Sequence, residues 1–253
     1  MKPQLTASRT ELERWSDAGL TLPVWWRDDD AIDATPSLER LLSLAEEFRA
    51  PLHLAVIPAA ATTELADRLE TVPSAFVLTH GWLHANRAPA DQKKAEFGLH
   101  RPVNVMLEEI AAGRERLEGL FGAKALPIFT PPWNRIAPEV VDGLPSAGFA
   151  ALSTYTPRRA RFAVEGLLQV NTHLDPIAWK SGGSLLDPDL IDTQLARELE
   201  ARRLGQADNQ EPYGLITHHL VHDEAIWAFT KTLLLTFAAS GVTRWTPPLQ
   251  EIY

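Results

Sequence analysis

Residues 22–30 read LPVWWRDDD, and the next apolar run, residues 52–57, reads LHLAVI. Both runs are of the kind that forms buried strands, and Thr35-Pro36 between them places a cap residue before a proline, as at a helix start. This order predicts a strand, a helix over residues 37–49 and a second, parallel strand. Three adjacent acids end the first strand, where capping a turn requires only one. Metal binding or acid–base chemistry is therefore a candidate role for the others.

The same alternation of apolar runs and amphipathic segments continues along the chain. Further strands are predicted at residues 75–79, 126–129, 149–153, 167–170, 214–217 and 242–245, and further helices at residues 62–70, 102–120, 138–147, 189–204 and 224–239. Regular β-α units without a composition break favour an α/β fold. We expect a single distorted TIM-like (β/α)7-8 barrel over residues 1–253, with its active site at the C-terminal ends of the strands. An open doubly wound sheet remains the alternative.

The N-terminal segment shows a capping-box pattern at Thr10 and Glu13. It predicts a short helix over about residues 10–19, packed on the barrel. The segment has no apolar core of the kind that signal peptides carry. We therefore expect a cytoplasmic location.

Composition excludes several function classes. The 253 residues contain 24 Lys and Arg against 33 Asp and Glu, a net charge of −9, which argues against a nucleic-acid or membrane partner. There is no cysteine, which excludes disulfides, thiolate ligands and a cysteine nucleophile. The expected partner is a small-molecule or oligosaccharide substrate, and the oligomeric state is left open.

Clusters of polar residues follow five of the predicted strands. They are RDDD (27–30), HGWLH (80–84), TPPWNR (130–135), NTHLDPIAW (171–179) and HHLVHD (218–223). Each alone could be a capped turn or a stiff proline turn, but in a parallel barrel all five meet on one face. His80 and His84 have the i, i+4 spacing of metal ligands, and Gly81 excludes an HExxH protease motif.

Together the clusters indicate a metal-dependent hydrolase. One carboxylate and two histidines would bind the ion and leave positions open for water and substrate. A neighbouring carboxylate would accept a proton from the water, and a separate histidine would protonate the leaving group. His218 and His219 are adjacent on a strand, so at most one of them can face the site.

In the order of these motifs, about residues 22–245 resemble the polysaccharide deacetylases, also called nodulation-type deacetylases or carbohydrate esterase family four. The resemblance implies Asp29 as catalytic base and Asp30 as metal ligand, because related R-x-D-D forms place one residue between Arg and the pair; Asp28-Asp29 is the other possible pair. It implies His80 and His84 as the remaining ligands. Gly81 replaces the hydroxyl residue that usually braces their loop.

The third motif departs from the family pattern. Thr130 stands in place of an arginine that orients the base, and Asn134 stands in place of a glycine. The resemblance therefore implies that Arg27 or Arg135 substitutes, or that the base is held differently. It also implies that the backbone N–H of Trp133 is the oxyanion donor.

The last two family motifs are matched unevenly. Asp175 and Trp179 match the fourth only loosely, whereas Leu215 and His218 match the fifth, which implies His218 as the general acid.

Other polar residues near the predicted face have open roles. His173 is an extra imidazole there, and His222 with Asp223 and His218 would form a competing metal site. Glu96 and His100 would close over the substrate or cap the next helix.

The function implied is a divalent-metal-dependent hydrolase that removes an N-acyl or O-acyl group from a sugar or sugar-like substrate. Zinc is the expected metal, and cobalt, manganese or nickel would also suit an Asp-His-His site. The alternatives are a hydrolase of a non-sugar amide such as a cyclic ureide, and a catalytically inactive carbohydrate-binding protein.

Overall fold

The computed structural model describes residues 4–252, in which strands and helices alternate. The strands are β1 (Leu22–Ala31), β2 (Leu52–Val56), β3 (Ala75–His80), β4 (Ala125–Thr130), β5 (Ala151–Leu152), β6 (Phe162–Val164), β7 (Leu167–Gln169), β8 (Tyr213–Thr217) and β9 (Thr243–Trp245). The helices are α1 (Thr6–Asp17), α2 (Pro36–Glu47), α3 (Thr63–Glu70), α4 (Val103–Phe121), α5 (Pro138–Val141), α6 (Pro188–Arg203) and α7 (Glu224–Ser240). Each strand predicted from the sequence is present, and β6 is an additional one.

The strands form one curled sheet in the order β6-β7-β5-β4-β3-β2-β1-β8, with β9 paired to the start of β1. All pairs are parallel except β6 with β7. Beyond β7 the chain reaches β8, where Leu174 bridges Leu215 and the N–H of Ile216 donates to the Leu174 carbonyl at 2.9 Å. The sheet edges thus meet, and the predicted distorted barrel, rather than the open sheet, is confirmed.

Side chains alternate between the inside of the barrel and the surrounding helix layer. The lower interior is filled by an apolar cluster that includes Trp25, Ala55, Leu78, Ile128, Ala151 and Leu168. A second, larger cluster packs the outer face of the strands against α1, α2, α6 and α7. Toward the carboxyl ends of the strands the inward positions become polar, beginning with Arg27 and Asp29 on β1. This end of the barrel is therefore the place for chemistry.

Two helices differ from their predicted bounds. α1 begins at Thr6, so the predicted capping box at Thr10 is wrong; instead the Asp192 carboxylate accepts the N–H groups of Ala7 and Ser8, both at 2.8 Å. α1 lies against α6 and α7, outside the strands. α5 is shorter than predicted, because Pro145 has no N–H to donate and disfavours helical backbone at the residue before it.

Within residues 4–252, none of the helices combines the length and apolar character required to cross a bilayer. One sheet contains strands from both ends of the chain. That residues 1–253 form a single domain stays a prediction.

Candidate active site

The three aspartates occupy the end of β1, which continues through them to Ala31. In a regular strand Asp29 would face the barrel interior and its two neighbours would face outward. The pairing with β2 shifts between Asp29 and Ala31, and Asp30 has a φ of 72°, in the left-handed region that aspartate tolerates better than most residues. This bulge turns Asp30 toward the mouth of the barrel. Two adjacent carboxylates thereby reach one site.

Asp30, His80 and His84 form a cluster whose ligand atoms lie within 4.8 Å of one another. Oδ1 of Asp30 lies 3.0 Å from Nε2 of His80 and 3.2 Å from Nε2 of His84. His80 ends β3, and its Nδ1 lies 3.0 Å from the carbonyl oxygen of Thr130, so that nitrogen carries a proton. A hydrogen bond from the far ring nitrogen is the usual means of orienting a metal-binding histidine. The set of two imidazoles and one carboxylate therefore fits a divalent ion such as zinc.

The charges in this cluster shift the pKa values of its members. Burial alone would raise the pKa of Asp30, but the hydrogen bond and charge of His80, with smaller contributions from His218 and His84, hold it well below its usual range. Burial would lower the pKa of His80, but Asp30 and Asp29 outweigh burial and raise it. Burial and the neighbouring His80 lower the pKa of His84. Asp30 is thus ionised and suited to bind a cation.

Asp29 is held by Arg27, a fully buried residue two positions earlier on the same face of β1. Nε of Arg27 lies 2.8 Å from Oδ1 of Asp29, and Nη2 donates to Oδ2 at 3.0 Å. The guanidinium also donates to Oγ of Ser153 and to Oδ1 of Asn134, each at 2.8 Å. Arg135 is exposed and donates instead to the carbonyl of Lys94 at 2.8 Å. Arg27, and not Arg135, therefore contacts Asp29 in this structure, which lacks the arginine of the third family motif.

His218 directly follows β8, the strand paired with β1. The Trp179 ring meets the His218 ring edge-on at 4.8 Å, and Nε1 of Trp179 donates to Oδ2 of Asp175 at 2.8 Å. Burial raises the pKa of Asp175, although His218 and the Trp179 N–H act in the opposite direction. Tyr155, which the sequence did not indicate, lies on the same wall, and burial raises its pKa to about 12.

One cavity of about 730 Å³, large enough for a sugar residue, adjoins the metal cluster, Asp29 and His218. Its lining residues are Asp29, Asp30, His80, His84, Lys94, Trp133, Asn134, Arg135, Tyr155, Asp175, Ile177, Trp179, Lys180, Leu186 and His218. The predicted base, acid and metal ligands are thus brought together; their chemical roles stay predictions.

Comparison with known proteins identifies the architecture. No family model and no curated protein matches the sequence. Among solved structures, a protein assigned to the polysaccharide deacetylases from Mycobacterium smegmatis is similar over 92% of both chains, at a TM-score of 0.63 and 15% identity. The chain has the polysaccharide deacetylase fold.

Two further solved structures are also similar to this chain. A family 4 carbohydrate esterase from Streptomyces lividans, solved with acetate, is similar at a TM-score of 0.54 and 13% identity over 90% of this chain and 94% of that one. A family 4 pseudoenzyme, solved as a mutant with restored activity, is similar at a TM-score of 0.53 and 12% identity over 89% of this chain and 65% of that one. At these identities the likeness establishes the fold alone.

Glu96 braces the loop that presents His84, a function that the sequence did not reveal. Its buried carboxylate accepts the backbone N–H groups of Trp82 at 3.2 Å, Leu83 at 2.8 Å and His84 at 3.2 Å. Gly81 has a φ of 62°, and a Cβ there would overlap Oε2 of Glu96. In this deacetylase fold, Gly81 therefore leaves room for a carboxylate brace where the family pattern has a hydroxyl.

The turn after β4 carries Trp133 and Asn134 in consecutive left-handed conformations, with φ of 55° and 56°. The Trp133 ring packs against the His84 ring at 4.5 Å, and Asn134 is tied to Arg27. A backbone that visits this region twice in succession is held by its surroundings and is typical of functional turns. That the Trp133 N–H is the oxyanion donor stays a prediction.

Two predicted site residues lie elsewhere. Asp28 faces outward, where it accepts from Oγ1 of Thr217 at 2.6 Å and contacts the ring and N–H of His219, so it does not reach the cavity. His173 is buried against the Tyr213 ring at 4.9 Å, with Nε2 3.1 Å from the Glu211 carboxylate. Alternation along β1 turns Asp28 to the helix side of the sheet, and His173, beyond the end of β7, contacts Arg202 of α6.

The predicted competing metal site at His218, His222 and Asp223 is wrong. The prediction that Glu96 or His100 caps the next helix is wrong too. Asp223 caps α7 by accepting the N–H of Ile226 at 2.9 Å, and burial lowers the pKa of His222 to about 4. Within residues 4–252 the group able to hold a metal is Asp30, His80 and His84. α4 begins after Pro102 without a side-chain cap, so neither Glu96 nor His100 caps it.

Proposed function

We propose that this protein is a divalent-metal-dependent hydrolase that removes an N-acyl or O-acyl group from a sugar or sugar-like substrate. The observation that carries the proposal is the convergence of the ligand atoms of Asp30, His80 and His84 within 4.8 Å, in the cavity that also contains Asp29 and His218. The deacetylase fold supports it. Zinc is the first candidate, and cobalt, manganese and nickel suit the same ligands.

The ion at Asp30, His80 and His84 would activate a water molecule and polarise the acyl carbonyl. Asp29 accepts a proton from the water as the water oxygen adds to the acyl carbon, and Arg27 fixes the direction of its carboxylate. The backbone N–H of Trp133 donates to the developing oxyanion.

His218 then transfers a proton to the leaving nitrogen while the C–N bond breaks, giving a free amine and a carboxylate. Trp179 packs on the His218 ring and is itself anchored to Asp175, so the acid is held in place. For an O-acyl substrate the proton goes to the leaving oxygen.

Two tryptophans favour a ring-shaped substrate. Trp133, which packs on His84, and Trp179, which packs on His218, both line the cavity, and aromatic faces of this kind bind the apolar faces of sugars. A cyclic ureide would also present a flat ring and an amide bond, so it remains the alternative substrate class.

A catalytically inactive carbohydrate-binding protein is the second candidate function, because one neighbour with this fold is a pseudoenzyme. The absence of the third-motif arginine at Thr130 favours this candidate. The contact of Arg27 with Asp29 supports catalysis instead, because the carboxylate is oriented by another route.

The test combines metal analysis with product release. Purified protein is assayed for bound metal, stripped with a chelator, reloaded with zinc, cobalt, manganese or nickel, and incubated with N-acetyl and O-acetyl sugars and with cyclic ureides. We expect about one ion per chain and acetate release that a chelator abolishes and metal restores. Turnover of ureides alone would favour the second substrate class. Sugar binding without turnover would favour the binding protein, and a chain that takes up no metal would contradict the proposal.

A further inference from the structure

Three cationic side chains surround the mouth of the cavity. Lys94 comes from the loop between β3 and α4, Arg135 from the turn after β4, and Lys180 from the segment between β7 and α6; all three residues are exposed. Among residues 4–252, no carboxylate oxygen lies within 4.0 Å of any of the three charged groups. They therefore remain available to a ligand, in a chain whose net charge is −9.

The positions of the cations are tied to the site. Arg135 donates from Nη1 to the Lys94 carbonyl at 2.8 Å, which joins the two segments. Nζ of Lys94 stands 5.9 Å from the Trp133 ring centroid, and Lys180 directly follows Trp179. Each of the two tryptophans that line the cavity, Trp133 and Trp179, thus has a lysine beside it.

The carboxylates of the cavity do not cancel this charge. Asp29 is paired with the buried guanidinium of Arg27, and Asp30 faces the two histidines of the metal cluster. Asp175 accepts the N–H groups of Ile177 and Trp179. The three acids are engaged by local partners, whereas the three cations have no carboxylate partner among residues 4–252: Arg135 donates to the Lys94 carbonyl, and Lys94 lies near the Trp133 ring.

We infer that the substrate is an acylated sugar or sugar-like ring that carries an anionic substituent, a carboxylate or a phosphate. The inference rests on the proposed function and specifies its substrate class. The reacting acyl group lies over Asp29 and the metal cluster, the ring lies between Trp133 and Trp179, and the anionic substituent reaches Lys94, Arg135 or Lys180. Lysine and arginine both suit such groups, and arginine binds them with two parallel N–H donors.

The test compares three probes that share the N-acetylglucosamine ring. They are N-acetylglucosamine, which is neutral, N-acetylmuramic acid, which adds a carboxylate, and N-acetylglucosamine 6-phosphate. We expect kcat/KM for at least one anionic probe to exceed that for the neutral sugar about tenfold, since hydrogen bonds to charged groups contribute on that scale. The preferred probe distinguishes a carboxylate from a phosphate. The preference should fall as salt is raised, because exposed charges are screened.

Variants locate the effect. Lys94→Gln, Arg135→Gln and Lys180→Gln should lower the ratio of anionic to neutral kcat/KM, and the triple variant should bring it near one. Lys93→Gln is the matched control, because Lys93 is exposed beside Lys94 but does not line the cavity. Equal kcat/KM for all three probes would overturn the inference while leaving the proposed function intact, and so would a ratio that none of the rim variants changes.

Failure of the proposed function is separated by calorimetry. If no probe is hydrolysed, the metal-loaded protein is titrated with the same three sugars. Tighter binding of an anionic probe, lost in the triple variant but not in Lys93→Gln, supports the inference without catalysis. Equal affinities, or no binding of any sugar, overturn it.

Discussion

The end of β1 and the end of β8 place the same chemistry on two sides of the barrel wall. Asp29 and His218 face the cavity, whereas their neighbours Asp28 and His219 face the helices. Asp28 is fully buried, with its oxygens bonded to the Thr217 hydroxyl and to the ring and N–H of His219. The carboxylate of the outer pair is thus already occupied by donors from the protein itself.

The difference shows that burial and a short Asp–His contact do not define a catalytic pair. Strand alternation assigns each residue to one side, and the bulge at Asp30 adds a second carboxylate to the inner side alone. The inner groups meet a cavity, and the outer groups bond the end of β1 to the end of β8. Substitutions at the inner positions should therefore alter turnover, and those at the outer positions should alter stability.

The largest expected effect comes from substituting Asp29, the inner aspartate. Asp29→Asn should reduce kcat about 10²–10⁴-fold, because the water loses the group that accepts its proton. Asn retains an acceptor for Arg27, so the fold should persist with lower stability, and the metal content should be unchanged. Steady-state assays of metal-loaded protein with an N-acetyl sugar, together with metal analysis, check both points.

Asp28→Asn provides the matched comparison. It should lower the free energy of unfolding by about 1–3 kcal/mol, since it weakens a buried network, while kcat of the folded fraction stays near that of the wild type. Denaturant titration measures the first effect and turnover per folded molecule the second. If Asp28→Asn lowered kcat as strongly as Asp29→Asn, it would contradict the assignment of catalysis to the inner residues and stability to the outer ones.

Substitutions of His218 and of His219 should differ in their effects on amide and ester hydrolysis. An amine is a poor leaving group unless protonated, whereas an activated phenolate leaves without help. His218→Ala should therefore lose about 10²–10⁴-fold in kcat on N-acetyl substrates and retain hydrolysis of an activated aryl acetate. The ratio of the two rates, measured on one preparation, is the readout.

His219→Ala should not reproduce that ratio. It leaves Asp28 without its imidazole partner in a buried site, so the expected loss is in stability, equal for both substrates once the unfolded fraction is subtracted. Equal losses on amide and ester in His218→Ala would remove the acid role from His218.

A third prediction concerns Glu96, a buried carboxylate that lies outside the cavity lining but supports the inner side. Glu96→Gln should weaken metal affinity about 10–100-fold, as changes to groups that orient metal ligands do, because the Gln amide presents N–H toward the loop N–H groups. Titration of stripped protein with zinc measures this without an activity assay. Glu118→Gln, which removes the carboxylate partner of Arg114 on α4, is the control and should leave metal affinity unchanged.

Aspartate rescue distinguishes positioning from general damage. Glu96→Asp keeps the charge but shortens the reach, so it should recover part of the metal affinity. If Glu96→Gln lowered the unfolding free energy and left zinc affinity at the wild-type value, the brace would be structural only.

The barrel could be predicted from the sequence because each β-α unit carries its own local signal. An apolar run, a cap and an amphipathic helix recur without reference to distant residues, so the predicted strands agree with the structure. β6 was missed because it is three residues long and only partly buried. The closure of the barrel at Leu174 depends on single contacts between segments far apart in sequence.

The residues that support the site were harder to predict from the sequence. Glu96 reaches the ligand loop across a long connection that has no periodicity, and the available signal was a glycine between two candidate ligands. His173 matched the clusters by position after a strand, but which side it faces depends on the local path of the chain. The assignment of Asp29 and Asp30, rather than Asp28, to the site relied on a family pattern. The position of a bulge cannot be read from three identical residues.

The smallest expected effect is a pH dependence confined to the outer pair. Burial would lower the pKa of His219, but the charge and hydrogen bond of Asp28 outweigh burial and raise it above the ordinary value of 6.5. Burial would raise the pKa of Asp28, but His219 and Thr217 hold it below 3.8. The contribution of His219 to stability is therefore complete below pH 6.5 and is lost as pH rises through its raised pKa. The contribution of Asp28 is present above pH 3.8 and is lost as pH falls through its lowered pKa.

Comparing wild type with Asp28→Asn isolates this contribution, because the titrations of the inner cluster are common to both proteins and cancel in the difference. The difference in unfolding free energy, measured on chelator-treated protein from pH 5 to 9, should be largest near the acid end and shrink as pH rises. NMR titration should show the pKa of His219 falling in the variant. A stability difference that is constant with pH, or a His219 pKa that Asp28→Asn does not change, would show that the outer pair is held by packing rather than by charge.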